Sequence, residues 1–550
     1  METQVLIIGA GPTGLMLAHD LARRGVRALI VDRHGGPAEQ TRAIGVQART
    51  LEILAQAGLA APAVARGART AGANLWANGE HKARIPVGDI GRDLSPYPYI
   101  LMLGQDETER LFNAALAEHG IAVRWRTELV QLIHHEDHVA ATLRQPDGSQ
   151  LEVRALWVAG CDGSRSSVRE FCGIGFPGAP YEHTFFVADT VATGPMKPAE
   201  LNVYLWRDGF HLFFPMRGVD RWRVIGILPP HLRERDEVEL ADVEPHVRAA
   251  VGARLEFKQC LWFSRYRIHH RRAERFRAGR CFLLGDAAHI HSPMGAQGMN
   301  TGLQDAYNLS WKLAAVLTQR APSELLDTYA VEREPVAQRL LETTDRAFMF
   351  VVSKSWWAGL LRTRVIARIA ARAMHFERVR RLAFRAVSQL GVAYPRSVLS
   401  RTLPGTTETS PRGGDRFPWL SVVFEPGGPA IDLFARLDDL HHHLLLVGQG
   451  ARPEWLATLP AELGVHALPV QHGNAARFAA AGIVAPAFYV LRPDGHVAVC
   501  GAELDETAVT DYLAQVGRFT KQAVAAPPDR RFGTTVSHPR DRDQRHARLP

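Results

Sequence analysis

A glycine-rich stretch between residues 281 and 313 has the residue types needed to bind a flat ligand that carries negative charge. An apolar run over 281–284 is followed by Gly285 and Asp286, and a loop then leads into apolar residues at helical spacing. Glycine lets backbone come close to a ligand because it has no Cβ, and a helix start offers unpaired N–H groups and the positive end of the helix dipole. The loop residues of interest are Pro293, Gly295, Gly298, Met299 and Asn300. Taken alone, this loop could also be a purely structural turn.

A second group of glycines lies near residue 10, where Gly9, Gly11 and Gly14 form the pattern G-x-G-x-x-G. The motif stands between an apolar strand pattern and a helical pattern, and a second strand pattern ends at Asp32. In such a unit the glycines allow a tight turn and the close approach of a pyrophosphate, while the acid accepts hydrogen bonds from an adenosine ribose. We therefore expect a dinucleotide site that includes Asp32 and its neighbour Arg33. The motif alone does not separate NAD from FAD.

Further segments carry polar residues in the same part of the chain. Residues 103–112 (LGQDETERLF) place Gln105 at a helix start, and residues 156–169 (LWVAGCDGSRSSVR) end an apolar strand pattern in Asp162 and Gly163. The acidic residues after Gln105 are equally typical of a solvated helix start. Together with the two glycine groups, these segments predict one binding site assembled from distant parts of the chain.

This set of motifs resembles the single-component aromatic hydroxylases that use FAD, the group of 4-hydroxybenzoate and phenol hydroxylases. The pair Gly285-Asp286 followed by P-x-G-x-x-G-x-N is similar to the second flavin motif of that family. The resemblance implies that Asp286 holds the ribityl chain and that the loop with Pro293, Gly295, Met299 and Asn300 cradles the isoalloxazine ring.

The same resemblance extends to the other segments. It implies that Gln105 hydrogen-bonds the ribityl chain and that Asp162 lines the path of both FAD and the nicotinamide cofactor. Arg42 and Arg49, in the segment TRAIGVQARTLEIL, match arginines that approach the FAD diphosphate or the ring edge. The segment LLDTYAVEREPVAQRLLETT is closest to the phenol-type hydroxylases that include pentachlorophenol monooxygenase, and Pro335 within it is predicted to break or start a helix.

Residues 181–265 predict an antiparallel sheet, because short aromatic and β-branched runs alternate with turns. In the family that this sequence resembles, such a sheet contacts the aromatic substrate. The resemblance therefore implies that Leu212, Phe214 and Met216 lie on the substrate face. Met216 stands where 4-hydroxybenzoate hydroxylases have a carboxylate-binding arginine, so a benzoate is not the expected substrate. A register shifted by one would bring in His211, Phe213 and Arg217 instead, and an ordinary packed core is the alternative use of these aromatics.

The predicted fold class is α/β and α+β. We expect a discontinuous Rossmann-like FAD-binding domain with a helical extension over 1–180 and 266–395, into whose chain the antiparallel substrate domain (181–265) is inserted; part of the 70–105 segment joins the substrate sheet. A linker rich in Pro, Gly, Ser and Thr follows. Residues 396–517 resemble the thioredoxin-like C-terminal domain found in part of the family. That domain has no C-x-x-C, so we assign it to packing or to forming a homodimer.

Composition sets the class of protein and its compartment. A chain of 550 residues with 46% hydrophobic residues can bury several cores. No apolar run is long enough to span a bilayer, and the five cysteines lack disulfide or metal-ligand spacing. We therefore expect a cytoplasmic protein with no metal site.

The net charge of +8 does not indicate a nucleic-acid partner. Residues 518–550 carry eight basic against three acidic residues in a Pro-rich segment that is predicted to be a disordered basic tail. Residues 360–386 hold eight arginines at helical spacing; an amphipathic helix packed on its own protein is favoured over a membrane-surface helix.

From the resemblance we expect an NAD(P)H-dependent flavoprotein monooxygenase that hydroxylates a small phenolic substrate with O2 through a flavin C4a-hydroperoxide. The nicotinamide cofactor should bind in the groove beside the flavin, since the sequence has one strand-linked G-x-G-x-x-G. Two alternatives remain open: a polyketide or antibiotic-tailoring hydroxylase of the same fold, and a flavin-free binding protein on a thioredoxin-like module. The sequence identifies no catalytic base; His289 and His291 lie beside the flavin motif but could equally pack at an interface.

Overall fold

The structure is a computed structural model that describes residues 1–41, 43–70, 72–86, 91–206, 209–291, 297–352, 372–373, 376–450, 453–471 and 473–517. The side chains of residues 182, 268 and 344–352 are outside the description. Several predicted features therefore lie outside the described residues: Arg42, Pro293, Gly295, the tail 518–550 and most of the arginine-rich stretch 360–386.

The described α-helices are, in chain order, α1 (Pro12–Arg23), α2 (Ala48–Gln56), α3 (Ala60–Arg66), α4 (Gln105–Glu118), α5 (Ser167–Phe171), α6 (Leu240–Val251), α7 (Gly298–Leu317), α8 (Asp327–Val352), α9 (Glu377–Val387), α10 (Asn474–Ala480) and α11 (Glu506–Val516). Short 3-10 helices span Pro230–Leu232, Gly285–Ala287, Ser323–Leu326, Leu433–Ala435 and Glu454–Thr458. None of the helices in this part of the chain is long and apolar enough to cross a membrane.

The β-strands are, in chain order, β1 (Glu2–Ile8), β2 (Ala28–Val31), β3 (Gly45–Val46), β4 (Ala68–Thr70), β5 (Ala73–Ala77), β6 (Glu80–Ile85), β7 (Ile100–Met102), β8 (Glu128–His134), β9 (Val139–Arg144), β10 (Gln150–Gly160), β11 (Gly178–Thr193), β12 (Leu201–Trp206), β13 (Gly209–Pro215), β14 (Arg221–Ile227), β15 (Glu256–Arg272), β16 (Arg277–Ala278), β17 (Cys281–Leu283), β18 (His289–Ile290), β19 (Arg401–Thr402), β20 (Ser421–Val423), β21 (Ala430–Asp432), β22 (His442–Val447), β23 (Leu463–Leu468), β24 (Ala487–Leu491) and β25 (Val497–Gly501).

The first sheet has the parallel strand order β17-β10-β1-β2, with β16 at one edge and β8 and β9 attached through β10. Val5, Leu6 and Ile7 of β1 are fully buried, as expected for a parallel strand covered on both faces. Helix α1 follows β1 directly and packs against α7 and α4. Mixed α/β architecture was predicted for this region and is confirmed.

The second sheet has eight strands in the order β18-β15-β11-β14-β13-β12-β5-β6. Its pairings are antiparallel except for β12 and β5, which run parallel. Strands β5 and β6 come from the segment before α4, so the sheet combines distant parts of the chain. One of its faces is covered by α6, whose Val243, Val247 and Val251 are buried among the sheet's aromatic residues.

A third sheet of five strands lies in the C-terminal part, in the order β19-β25-β24-β22-β23. The segment 394–419, predicted to be a linker, contributes β19 to this sheet and contains the buried residues Tyr394, Leu399 and Phe417. This segment therefore packs against its surroundings, because its apolar side chains are spaced among the turn-forming residues that suggested a linker.

Pro335 neither breaks nor starts a helix, which corrects the expectation from sequence. Helix α8 runs through it from Asp327 to Val352. Proline removes one backbone donor and disfavours the helix interior, but Val336 and Ala337 beside it are buried. The packing of this turn is what outweighs the local preference.

The C-terminal part is joined to α7 and α8 by a fully buried group of charges. Glu332 of α8 accepts hydrogen bonds from Lys312 Nζ at 2.7 Å and from Arg492 Nη1 at 2.7 Å. Arg492 also pairs with Asp494. Burial alone would raise the pKa of Glu332, but Arg492 and Lys312 outweigh it and hold that pKa well below its usual value. Each of these charges is therefore dependent on the others.

Replacing Arg492 is expected to destabilise the protein strongly. The variant Arg492→Met leaves Glu332 and Asp494 buried with less compensation, a change that costs about 3–5 kcal/mol. The midpoint of urea unfolding should fall accordingly. Arg144, which pairs with Glu128 at the surface, offers the control: Arg144→Ala should cost about 0.2–1 kcal/mol. Equal shifts of the two midpoints would contradict this description of the interface.

Candidate functional site

A cavity of about 1070 Å³ lies at the carboxyl ends of the parallel strands of the first sheet. Ligands of open α/β sheets bind at this edge, where strand order reverses. Segments that are far apart in sequence meet here: residues 8–11, 32–40, 125–129, 161–165 and the single residues Gln105, Glu109, Ser167 and Asp286. Predicted site residues from five separate segments therefore line one cavity.

The three glycines of the first motif differ in what they do. A Cβ on Gly9 would lie 2.3 Å from the carbonyl oxygen of Cys161, and Gly9 has φ +103°. A Cβ on Gly14 would lie 2.0 Å from the carbonyl oxygen of Gly9. Both positions thus require glycine for packing of β1, α1 and β10. Gly11 has no described atom within 4 Å of such a Cβ and lines the cavity, so it leaves space for a ligand.

The acid at the end of β2 is fixed by backbone and side-chain donors. The N–H of Ala10 donates to Asp32 Oδ2 at 2.7 Å, and the N–H of His34 donates to Oδ1 at 2.8 Å. Asp32 is buried, whereas its neighbour Arg33 is exposed at the cavity. The carboxylate is therefore preorganised beside the glycine turn.

Glu109 lines the cavity, although the sequence predicts only Gln105 of this segment as a site residue. Gln105 Nε2 donates to Glu109 Oε1 at 2.8 Å, and the N–H of Ala38 donates to Oε2 at 2.7 Å. Burial raises the pKa of this carboxyl group, against hydrogen bonds from Ala38 and Gln105 that lower it. A single turn of α4 separates the two residues, so the helical spacing of LGQDETERLF could have indicated the pair.

Asp162 and Asp286 both line the cavity, each on a different segment of the chain. The N–H of Val168 donates to Asp162 Oδ2 at 3.2 Å, while its buried Oδ1 has no hydrogen-bond partner among the described residues. Burial raises the pKa of Asp162. Asp286 lies in the 3-10 turn Gly285–Ala287 and is exposed toward the cavity. Both residues line the same cavity, and Asp286 is the more exposed of the two.

A buried carboxylate on α7, Asp305, holds the turn that carries Asp286. The N–H of Gly285 and the ring Nε2 of His289 lie 3.0 and 2.7 Å from Asp305 Oδ2, and Arg333 Nε donates to Oδ1 at 2.6 Å. Burial alone would raise the pKa of Asp305, but Arg333 and His289 outweigh it and lower that pKa. His289, considered as a candidate base, is thus buried in a structural contact.

Asn300 connects the start of α7 to the segment of β3. Its Oδ1 accepts a hydrogen bond from the N–H of Gln47 at 2.8 Å, and its Nδ2 donates to the carbonyl of Gly45 at 2.8 Å. Asn300 is fully buried, while Gly298 and Met299 before it are half-buried. The helix start is thereby fixed relative to β3, which pairs with β7 and is not part of the first sheet.

Arg49 does not line this cavity, and the approach to the ring edge that the resemblance also allows stays a prediction. It lies on α2, where its guanidinium donates to Glu52 Oε2 at 3.2 Å and to the carbonyl of Asp494 at 2.6 Å. Glu52 also binds Arg416 of the C-terminal part. Arg49 therefore serves the interface with the C-terminal part, a contact that no local sequence pattern reveals.

Strand β13 alternates between its two faces. His211 and Phe213 are fully buried, with Phe213 in the cluster under α6, whereas Leu212, Phe214 and Met216 are half-buried on the other face. The residues of the first register, Leu212, Phe214 and Met216, therefore share the face that α6 does not cover.

A buried ion pair accompanies Phe214 on this face. Phe214 is the register partner of Arg223 on β14, and directly paired residues point to the same side of a sheet. Arg223 binds Asp189 through two hydrogen bonds of 2.7 Å and lies 5.5 Å from the ring centre of Trp262. Sequence reasoning missed this pair because its partners stand on separate strands.

Comparison with known proteins agrees with this geometry. The family model described as FAD binding domain matches residues 2–344. The chain is 40% identical over 359 residues to 6-methylpretetramide 4-monooxygenase of Streptomyces rimosus, covering 64% of this chain and 63% of that protein. It is 35% identical over 354 residues to pentachlorophenol 4-monooxygenase of Sphingobium chlorophenolicum, covering 62% and 64%.

The fold also matches solved structures over most of its length. A ternary complex of aklavinone-11 hydroxylase with FAD and aklavinone superposes with a TM-score of 0.75 at 29% identity, covering 93% of this chain and 98% of that one. The glycines, the carboxylates that line the cavity and the cavity itself fit FAD, the cofactor of that complex. The chain therefore belongs to the FAD-binding-domain family, and it is an FAD-dependent monooxygenase of the aromatic hydroxylase type.

Proposed function

We propose that the chain uses NAD(P)H and O2 to hydroxylate a phenolic ring, with FAD held in the cavity at the edge of the first sheet. The observation that carries this proposal is the convergence of Gly11, Asp162 and Asp286 on one cavity. Gly11 would admit the diphosphate, Asp32 the adenosine ribose and Asp286 the ribityl hydroxyls. Gln105 joins this set through its bond to Glu109.

Bound FAD supplies the redox chemistry that activates O2 for transfer of one oxygen atom. The protein's part is to bind, orient and shield. The N-terminal end of α7 at Gly298 directs N–H groups and a positive dipole end toward the loop that precedes it, which favours a negatively charged ligand there. Asn300 fixes this helix start by its bonds to residues 45 and 47. Pro293 and Gly295 lie outside the described residues, and we propose that they cradle the isoalloxazine ring, as the resemblance implies.

The substrate is proposed to lie against Leu212, Phe214 and Met216. These three side chains are apolar and half-buried, which suits contact with an aromatic ring. Asp189 and Arg223 are engaged with each other beside them. A base that would make the phenol more nucleophilic is not assigned.

Polyketide-type substrates are a second candidate class. The relative with 40% identity is named for 6-methylpretetramide, and the structure at TM-score 0.75 contains aklavinone, whereas the pentachlorophenol enzyme is 35% identical. Both readings share the fold, the cofactor and the hydroxylation of an aromatic ring. They differ in the size of the ring system that the second sheet must accommodate.

NAD(P)H is proposed to bind transiently beside the flavin, near Asp162 and Arg42. In the described part of the chain, the parallel strands of the first sheet form one dinucleotide-binding unit, built on β1, α1 and β2.

The C-terminal part is proposed to be thioredoxin-like. Its strand order, with β22 parallel to β23 and antiparallel to β24, supports this. We also propose that the C-terminal part acts in packing or in forming a homodimer. A cytoplasmic location and domain limits at residues 180, 265 and 395 are proposed as well.

Substrate-stimulated oxidation of NAD(P)H tests the function. Purified holoprotein should oxidise NADH or NADPH faster when an accepted phenol is present, because substrate placement gates flavin reduction in enzymes that work through conformational steps. A panel of simple phenols and polyketide phenols, run under ¹⁸O-labelled O2, identifies the class. The product should gain one labelled oxygen. A panel without stimulation and without labelled product would contradict the proposal.

Two glycine variants separate cofactor binding from folding. Gly11→Ala should leave the thermal midpoint of the apoprotein nearly unchanged but weaken FAD binding by about 1–3 kcal/mol, since the added methyl group enters the ligand space. Gly14→Ala should lower the midpoint with or without FAD, because its Cβ meets the carbonyl of Gly9 at 2.0 Å. Fluorescence titration with FAD and thermal unfolding measure both effects. Unaltered FAD affinity in Gly11→Ala would refute the proposed position of the diphosphate.

A further inference from the structure

A group of three soft ligands lies outside the FAD cavity. The cluster consists of His134 at the end of β8, Cys172 directly after α5 and Cys281 at the start of β17, and its ligand atoms all lie within 4.8 Å of one another. The two cysteines are far apart in sequence and carry no metal-binding spacing. It is the folding of the first sheet around α5 that brings them together.

The distances in this cluster match those of a thiolate and imidazole metal site. Cys172 Sγ is 3.6 Å and Cys281 Sγ is 4.0 Å from His134 Nε2. In a tetrahedral zinc site, bonds of about 2.3 Å to sulfur and about 2.0–2.1 Å to nitrogen place sulfur and nitrogen about 3.6 Å apart. The three side chains therefore need little movement to share one ion.

The burial of the cluster leaves one coordination position open. Cys281 is buried, Cys172 is half-buried and His134 is exposed, so the cluster opens toward solvent on one side. Sites with three protein ligands keep a fourth position for water or another ligand. Sulfur and imidazole ligands select zinc or copper over the hard cations magnesium and calcium.

Each ligand belongs to a segment that also reaches the FAD cavity. Strand β8 begins at Glu128 and Leu129, α5 follows Asp162, and β17 leads to Asp286; these four residues line the cavity. An ion held by all three ligands would tie these segments to one another. An ion that binds the folded protein but not the unfolded chain raises its stability by an amount that grows with the logarithm of the free ion concentration above Kd.

We propose that His134, Cys172 and Cys281 form a binding site for one thiophilic divalent cation of the zinc class, outside the catalytic centre and able to stabilise the segments that build the FAD cavity. Binding of the cation would depend on the proximity of the three side chains and not on the flavin chemistry.

Cobalt substitution provides the direct test. Holoprotein with its cysteine thiols kept reduced is freed of metal with a chelator and then titrated with Co²⁺. Cobalt ligand-field bands should appear to the red of the flavin absorption and saturate at one equivalent. A sulfur-to-cobalt charge-transfer band should accompany them. Zn²⁺ should displace the cobalt and raise the thermal midpoint of the protein. The variants His134→Ala and Cys172→Ser should lose binding by more than the roughly ten- to hundred-fold that removal of an outer-shell partner costs.

Cys260→Ser is the matched control. Cys260 is an exposed free cysteine on β15, away from the cluster, and its removal should leave the cobalt spectrum and the zinc-induced shift unchanged. Flavin content, read from the same spectra, shows whether each variant is folded. Absence of cobalt bands in folded wild-type protein, or equal bands in wild type and His134→Ala, would overturn the proposal.

Discussion

The arrangement of the site depends on one buried carboxylate. Asp305 stands on α7 and binds the N–H of Gly285, the ring of His289 and the guanidinium of Arg333. Arg333 in turn donates to the carbonyl of Thr301 and to the hydroxyl of Tyr394. Desolvating two charges costs several kcal/mol, which is offset only when good geometry and further hydrogen bonds satisfy both groups. The turn that carries Asp286 is thus positioned by Asp305 of α7. Asp305 is held in turn by Arg333 of α8, which also contacts Tyr394 in the segment leading to the C-terminal part.

The same helix links three parts of the molecule. Asn300 ties its start to β3, and Asp305 ties its middle to the turn that carries Asp286. Lys312 connects its later turns to Arg492 of the C-terminal part through Glu332 of α8. Because these contacts are buried and polar, loss of one partner leaves the others with an unpaired charge or hydrogen-bonding group. The described residues of the C-terminal part do not line the FAD cavity, so α7 and α8 provide its connection to the site.

Local motifs in the sequence predicted several of the segments that converge on the cavity. The glycine motif at residues 9–14 and the Gly285-Asp286 pair occur with the strand and helix patterns that position them, so their convergence could be expected. Contacts between distant segments could not. Arg49 fits a cofactor arginine by sequence yet binds Glu52 and the C-terminal part. The pair Asp189 and Arg223 and the cluster around Cys281 also depend on strand pairing, which leaves no local signature.

The central claim is that segments 9–14, 161–168 and 285–286 together hold FAD. Hydrogen–deuterium exchange of apoprotein with and without FAD tests it most directly. FAD should protect the amides of all three segments, while the amides of β22 to β25 in the C-terminal sheet should exchange at unchanged rates. Protection confined to the C-terminal sheet, or protection that omits the 285–286 turn, would contradict the account.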